Sequence, residues 1–357
     1  MFPLITFNGG LTMRSDTSII DITKESPIIS IIGMDKNAGK TTVLNYLISN
    51  ISSNDYSIGI TSIGRDGEDV DAVTFTPKPR IYIKKGTFIA TAKDCLKNSD
   101  ITREIFNTTD IHTSMGEVII VKALGDGYID LAGPSLNSQM EHVCEILKDC
   151  GCKKIFVDGA INRKSFIGRN INQGAILATG ASLNRNIDKV VSDTSHAVSM
   201  LMLPSFDNTF ITERCLNSSI DERCILRNNR GSLKIINSLT SLNISKEISD
   251  SIDDSITDIF IKGALTANLF KTLLQNPSKL KNKNFIAEDG TKILIDKNTY
   301  ENLLFLNCTL KVLNPINILC ITSNPTSPYG YDFSPEELLY KLRHSICLPV
   351  FDVVHDI

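Results

Sequence analysis

The sequence has no excess of either charge and no long apolar run. Its 37 Lys and Arg residues nearly balance its 40 Asp and Glu residues, which leaves a formal net charge of −3. No basic surplus indicates nucleic-acid binding, and no polybasic cluster indicates contact with an anionic membrane surface. No window approaches the roughly 20 apolar residues that a membrane-spanning helix needs. We therefore expect a protein that binds neither nucleic acid nor membrane.

The nine cysteines do not follow a metal or disulfide pattern. No Cys-x-x-Cys pair occurs, and no Cys/His cluster has zinc spacing. Cys150 and Cys152 are the closest pair, and two reduced thiols at a helix-to-strand junction explain them. The apolar N-terminus lacks the positively charged segment and the long apolar segment of a signal peptide. These absences favour a cytoplasmic location.

Residues 28–47 hold the strongest motif in the sequence. Four of the five residues in 28–32 are isoleucine, which is β-branched and favours a buried strand. A loop that ends in Gly39-Lys40-Thr41 follows, and apolar residues then recur at helical spacing from Val43. Strand, Gly-Lys-Thr loop and helix together predict a phosphate-binding loop, because backbone N–H groups and the helix dipole converge there on an anion.

The nucleotide-binding residues predicted from this motif are Asp35, Lys36, Asn37, Ala38, Gly39, Lys40, Thr41 and Thr42. Lys40 supplies a positive charge for the β- and γ-phosphates, and Thr41 offers its hydroxyl to Mg²⁺. The spacing departs from the commonest pattern, because five residues rather than four separate Gly33 from Gly39. Dethiobiotin synthetase and its relatives have the same longer spacing, and the loop resembles theirs.

Two acids are predicted to complete the site. Residues 153–160 indicate an apolar strand that ends in Asp158, and an acid at the carboxyl end of a parallel strand beside a P-loop holds Mg²⁺ directly or through water. The polar loop after the second predicted strand supplies Asp66. We therefore predict Lys40, Asp158 and Asp66 as catalytic residues, and Thr41, Asp66 and Asp158 as metal ligands. The alternative for each acid is an aspartate in a turn.

Strands and helices alternate along the sequence. This alternation favours an α/β fold with a mostly parallel sheet that is covered on both faces, and a second α/β region after it. A stretch rich in Ser, Asn, Asp and Arg interrupts the pattern from about residue 205. We divide the chain into an N-terminal extension (1–26), a P-loop NTPase core (27–205), a polar linker or inserted subdomain (206–255) and a C-terminal α/β domain (256–357).

Four local predictions are less clear from the pattern. Residues 80–90 indicate a β-hairpin, with helical structure after it to about residue 109, and 187–191 indicate a strand. The loop 322–331 contains three prolines or glycines and two tyrosines at the end of a predicted strand. Loops in that place often carry function in α/β folds, and a long packed turn is the equal alternative.

Several motifs together resemble one specific family, the P-loop subunit of the reactivating factor for lysine 5,6-aminomutase or ornithine aminomutase. The resemblance covers about residue 28 to the C-terminus and leaves out the first 26 residues. The matching motifs are Gly-Met-Asp-Lys-Asn-Ala-Gly-Lys-Thr-Thr (33–42), Thr-Ser-Ile-Gly-Arg-Asp-Gly-Glu (61–68), Val-Asp-Gly-Ala-Ile-Asn-Arg-Lys-Ser-Phe (157–166), Ile-Leu-Ala-Thr-Gly-Ala (176–181) and Asn-Pro-Thr-Ser-Pro-Tyr-Gly-Tyr (324–331).

The resemblance implies a chaperone-like role. The client would be an aminomutase that depends on adenosylcobalamin and pyridoxal phosphate, and whose cobalamin is damaged during radical turnover in amino-acid fermentation. The factor would use ATP and Mg²⁺ to release the damaged cobalamin. A MutS-like subunit would be its partner.

Three alternative functions remain open for the same P-loop. An ATP-dependent ligase of the dethiobiotin synthetase type would need a small-molecule pocket and a second lysine such as Lys36 or Lys164. The large C-terminal half exceeds what that reaction requires. A metallochaperone-like GTPase is the second alternative, although the sequence has no Asn-Lys-x-Asp guanine motif. A third alternative is a binding module whose P-loop is inactive, which the intact Lys40, Thr41 and Asp158 disfavour.

Overall fold

The computed structural model describes residues 18–51, 57–64, 80–159, 173–219, 222–237 and 241–355. Within these ranges the chain is an α/β protein with two large sheets. The helices are α1 (Ile19–Thr23), α2 (Lys40–Asn50), α3 (Lys93–Lys97), α4 (Asn137–Asp149), α5 (Ile187–Leu201), α6 (Thr209–Leu216), α7 (Ser241–Ser251), α8 (Ala267–Leu273), α9 (Pro277–Leu280), α10 (Lys297–Phe305) and α11 (Pro335–Ser345). None of these described helices is both long and apolar enough to cross a membrane.

The strands differ greatly in length and in burial. Several central ones, such as the first, are buried at every residue. The strands are β1 (Ile28–Gly33), β2 (Ser57–Ser62), β3 (Ile81–Ile83), β4 (Phe88–Ala92), β5 (Arg103–Thr113), β6 (Gly116–Ala123), β7 (Gly127–Ile129), β8 (Cys152–Asp158), β9 (Gln173–Gly180), β10 (Glu222–Asn228), β11 (Leu233–Asn237), β12 (Ile256–Ile261), β13 (Leu265–Thr266), β14 (Asn284–Ala287), β15 (Ile293–Leu294), β16 (Thr309–Val312), β17 (Ile318–Asn324) and β18 (Val350–Phe351).

The first sheet has nine strands in the order β18-β17-β9-β1-β8-β2-β4-β6-β5. Neighbouring strands run parallel from β18 to β4, and β6 and β5 continue the sheet antiparallel. Helices cover both faces, which explains why the central strands are largely buried and rich in apolar residues. Side chains of α1 and α2 pack on one face. Side chains of α4, α5 and α11 pack on the other face.

The second sheet has five strands in the order β11-β10-β12-β14-β16. Strands β12, β14 and β16 are parallel, and β10 and β11 are antiparallel additions. One face packs against α7, α8 and α10, and the other packs against α6. The prediction of an α/β fold with parallel strands is therefore confirmed, and the antiparallel strands make both sheets mixed.

Sheet membership does not follow the predicted segment boundaries. The segment 206–255, predicted from its polar composition as a linker or an inserted subdomain, supplies α6, α7, β10 and β11 to the second sheet and its helical cover. Residues 318–324 and 350–351 form strands of the first sheet rather than of a separate C-terminal domain. Strand pairing between distant segments depends on where chain crossovers place them, and local composition carries little information about that.

Three local predictions differ from the structure. Strands β3 and β4 do not form a hairpin, because β3 pairs with β7 while β4 lies between β2 and β6. The segment predicted as helical to about residue 109 contains α3, but from Arg103 it forms β5, an edge strand with five consecutive exposed residues. The predicted strand 187–191 is the start of α5, which Asn186 caps by accepting hydrogen bonds from two backbone N–H groups.

Candidate functional site

The loop that joins β1 to α2 has the shape of an anion cradle. Its first N–H, from Met34, donates to the carbonyl of Ala178 at 2.8 Å, which ties the loop to β9. Asn37 and Gly39 both adopt left-handed backbone conformations, with φ of 58° and 97°. Helix α2 begins at Lys40 and has no hydrogen bond from a capping side chain. Its first N–H groups therefore face the cradle, where an anion would be stabilised.

Lys40 lies folded over this loop. Its ammonium donates a hydrogen bond to the carbonyl of Asp35 at 3.2 Å. A methyl group placed on Gly33 would come within 2.9 Å of the Lys40 Nζ and 3.1 Å of its Cδ. The absence of a side chain at Gly33 therefore leaves the space that the lysine occupies. The positive charge stays close to the end of β1, where the phosphates of a nucleotide are expected.

Asp158 is at the carboxyl end of β8, directly beside the end of β1. It pairs in register with Ile31 on one side and with Ser62 of β2 on the other. Its Oδ1 is buried and has no hydrogen-bond partner among the described residues. Burial raises the pKa of the Asp158 carboxyl, and the nearby charge of Lys40 opposes that rise. A buried acceptor without a partner is suited to a cation or an ordered water.

Ser62 is a residue that the sequence did not single out. It faces the same side of the sheet as Asp158, because both continue the alternation of residues that pack with α2, Ile60 in β2 and Phe156 in β8. The Ser62 hydroxyl is also buried without a partner among the described residues. Polar residues at the end of an apolar strand are the only sequence signal that marks it.

The loop 322–331 lies against the loop that joins β1 to α2. The side-chain amide of Asn324 donates to the carbonyl of Asn37 at 3.0 Å. Farther along, the Tyr331 hydroxyl donates to the carbonyl of Ala181 at 2.6 Å, and the Arg185 guanidinium is 5.3 Å from the centre of the Tyr331 ring. The sequence placed this loop at the end of a strand, and the structure adds that it contacts the predicted site.

The other predicted nucleotide-binding residues occupy the loop and the first turn of α2. Asp35, Lys36 and Thr42 are exposed, Ala38 is buried, and Thr41 is partly buried. The Asn37 side-chain nitrogen is buried without a hydrogen-bond partner among the described residues. The remaining acid, Asp66, lies outside the described residues, and so does Lys164.

A cationic side chain, a helix N-terminus and a carboxylate whose Oδ1 has no partner in the described part of the chain thus meet at the ends of β1 and β8. The lysine side chain and the helix N-terminus are suited to binding a phosphate group. Magnesium is commonly held by one or two carboxylates together with substrate phosphates, so Asp158 and the Thr41 hydroxyl fit that ion. In comparisons with known proteins, no family model, curated protein or solved structure matches this chain.

Proposed function

We propose that this chain is a P-loop ATPase of the dethiobiotin synthetase-like type, which binds ATP with Mg²⁺ between the phosphate loop and Asp158. The observation that supports it most is the position of Asp158. Asp158 ends the strand next to β1, its Oδ1 has no partner among the residues that the structure describes, and the charge of Lys40 is near enough to influence its pKa. Structural aspartates in turns normally find hydrogen-bond donors, so an orphaned buried oxygen here favours a ligand-binding role.

Each group has a defined part in the proposed site. The N–H groups of the loop and of the first turn of α2 would bind the phosphates. Lys40 would exchange its contact with the Asp35 carbonyl for the β- and γ-phosphates. The Thr41 hydroxyl and the Asp158 carboxylate would hold Mg²⁺, with Asp66 as a further proposed ligand. The metal would neutralise charge on the phosphates.

The cellular role that we propose comes from the sequence motifs. The chain would be the P-loop subunit of a cytoplasmic reactivating factor for an aminomutase that uses adenosylcobalamin and pyridoxal phosphate. Together with a MutS-like subunit, it would release damaged cobalamin. Damaged cofactor leaves only when the open form of the aminomutase is more populated, and ATP shifts that balance if it binds one form of the complex better. Loss of the γ-phosphate contacts would then reset the cycle.

Lys40→Ala tests the nucleotide site, with Lys153→Ala as its control. Lys153 is exposed at the opposite end of the strand that carries Asp158. At a ligand concentration about 100 times Kd, ATP–Mg²⁺ stabilises a binding protein by about 2.7 kcal/mol, so wild type and the control should gain several degrees in Tm. The Lys40→Ala protein should lose most of this gain in Tm, and it should no longer hydrolyse ATP.

The same variants test the cellular role in a reactivation assay with cobalamin-damaged aminomutase and the MutS-like subunit. Wild type and Lys153→Ala should restore activity, and Lys40→Ala should not. Full recovery of aminomutase activity with Lys40→Ala would contradict the reactivation proposal. If ATP–Mg²⁺ stabilised wild type, Lys153→Ala and Lys40→Ala equally, the proposed nucleotide site would be wrong.

A further inference from the structure

Asn324 reaches the phosphate loop from a strand that does not neighbour β1. It is the last residue of β17, and β9 separates β17 from β1 in the sheet. Its side-chain nitrogen donates to the Asn37 carbonyl at 3.0 Å. A methyl group placed on Gly39 would lie 3.2 Å from the Asn324 Cβ, so the side chain also packs over that glycine.

The two loop residues in contact with Asn324 are those with left-handed backbones, Asn37 and Gly39. A left-handed conformation is unfavourable for a residue with a Cβ, and such residues persist where the surroundings hold them. Asn324 supplies such support at Asn37 through its hydrogen bond, and it packs over Gly39, where glycine adopts the left-handed backbone at little cost. One side chain therefore contacts the loop at both of its left-handed positions.

Asn324 is itself held firmly. Its backbone carbonyl accepts a hydrogen bond from the Ala181 N–H at 2.9 Å, and a methyl group on Gly180 would lie 2.0 Å from that carbonyl oxygen. Its side-chain oxygen accepts a hydrogen bond from the Thr326 N–H at 3.2 Å. Both ends of the side-chain amide are thus engaged, which sets its orientation toward the Asn37 carbonyl.

We propose that Asn324 is a positioning residue that holds the phosphate loop in its binding conformation before nucleotide arrives. The proposal rests on the nucleotide-binding function proposed above. A binding site that is only partly populated in its competent conformation loses apparent affinity in proportion, whereas a preorganised site does not. Asn324 acts through the loop and is assigned no contact with the nucleotide.

Two variants remove the hydrogen bond in different ways. Asn324→Asp keeps the size and the acceptor for Thr326 but replaces the donor with an oxygen. Asn324→Ala keeps the Cβ that packs over Gly39 and introduces no charge. Ser327→Ala is the matched control, because the Ser327 hydroxyl accepts from the Tyr329 N–H at 3.2 Å within the same loop and makes no described contact with the phosphate loop.

The first measurement is hydrogen–deuterium exchange of peptides from 33–44 in the nucleotide-free protein. Loss of one hydrogen bond should speed exchange there by about 3- to 10-fold in both Asn324 variants and leave Ser327→Ala unchanged. The second measurement is ATP hydrolysis. Both Asn324 variants should raise the KM for ATP by about 3- to 10-fold and leave kcat within about twofold, because the loop is correct once ATP is bound.

Unchanged exchange over 33–44 together with an unchanged KM would overturn the proposal, even if the variants were less stable to heat. A rise in exchange or in KM that occurs only in Asn324→Asp would also overturn the proposal, because that pattern indicates that the new charge repels the phosphates. If wild type neither binds nor hydrolyses ATP, the proposed function fails. Exchange in the nucleotide-free protein then still decides whether Asn324 holds the loop.

Discussion

Asp158→Asn should make the nucleotide-free protein more stable. The substitution keeps the size of the side chain and removes the charge of a carboxylate whose Oδ1 is buried without a partner among the described residues. A buried unsatisfied polar group costs about 1–3 kcal/mol, and more when it is charged. Attraction to Lys40 offsets part of this cost. We expect the free energy of unfolding to rise by about 1–2 kcal/mol near neutral pH, which corresponds to a few degrees in Tm.

The pH dependence of this gain follows from the raised pKa of Asp158. Below the ordinary value of 3.8 the carboxyl is neutral in both the folded and the unfolded protein, so the charge costs nothing. As pH rises through that value toward the higher pKa of the folded state, the unfolded chain releases its proton more readily and wild type loses stability. The advantage of Asp158→Asn should therefore grow as pH rises through this window and then stay constant.

Urea unfolding of the nucleotide-free proteins over a pH series from about 4 to about 8 measures this advantage. Asp149→Asn, at the exposed end of α4, is the control and should change stability little. Added ATP–Mg²⁺ should reverse the order, because it stabilises wild type and not Asp158→Asn. A less stable Asp158→Asn protein without nucleotide would refute the reasoning, because it would mean that the carboxylate has a strong partner in the folded chain.

Two further substitutions test contacts that hold the sheet ends. Gly180→Ala would place a methyl group 2.0 Å from a backbone carbonyl oxygen of β17, and we expect a loss of about 1–3 kcal/mol in urea unfolding. Gly125→Ala, which has no atom within 4 Å of the added methyl, is its control. Lys154 is buried and donates to three backbone carbonyls of 23–26. Lys154→Met should lose about 2–4 kcal/mol in the same assay, whereas Lys153→Met at the exposed neighbouring position should lose little.

Much of the local structure could be predicted from the sequence. The apolar run at 28–32, the Gly-Lys-Thr loop and the periodic residues after it correspond to β1, the loop and α2. The strand that ends in Asp158 was predicted in the same way, because its signal also lies within a few neighbouring residues. Edge strand β5 was missed since an exposed strand need not alternate apolar and polar residues. The start of α5 was missed because its five residues 187–191 also fit a strand.

Apart from the pairing of Asp158 with the Gly-Lys-Thr loop, relations between distant segments could not be predicted from the sequence. The sequence predicts Asp158 at the end of a strand and does not single out Ser62, and only the sheet order makes the two residues neighbours. Residues 318–324 were assigned to a separate domain, yet they extend the first sheet beside β9. Pairing across such separations depends on crossovers and on the packing of whole helices, which no short window of sequence contains.

The sequence by itself determined the components of the candidate site, which are a Gly-Lys-Thr loop between a strand and a helix, its lysine and an acid at the end of an apolar strand. Local residue types decide these components, since backbone preferences and apolar periodicity act over a few residues. The tertiary structure alone decided that β8 lies beside β1, that the Asp158 Oδ1 remains without a partner among the described residues, and that Asn324 supports the loop from β17. These are consequences of long-range packing, which is settled only when the whole sheet has formed.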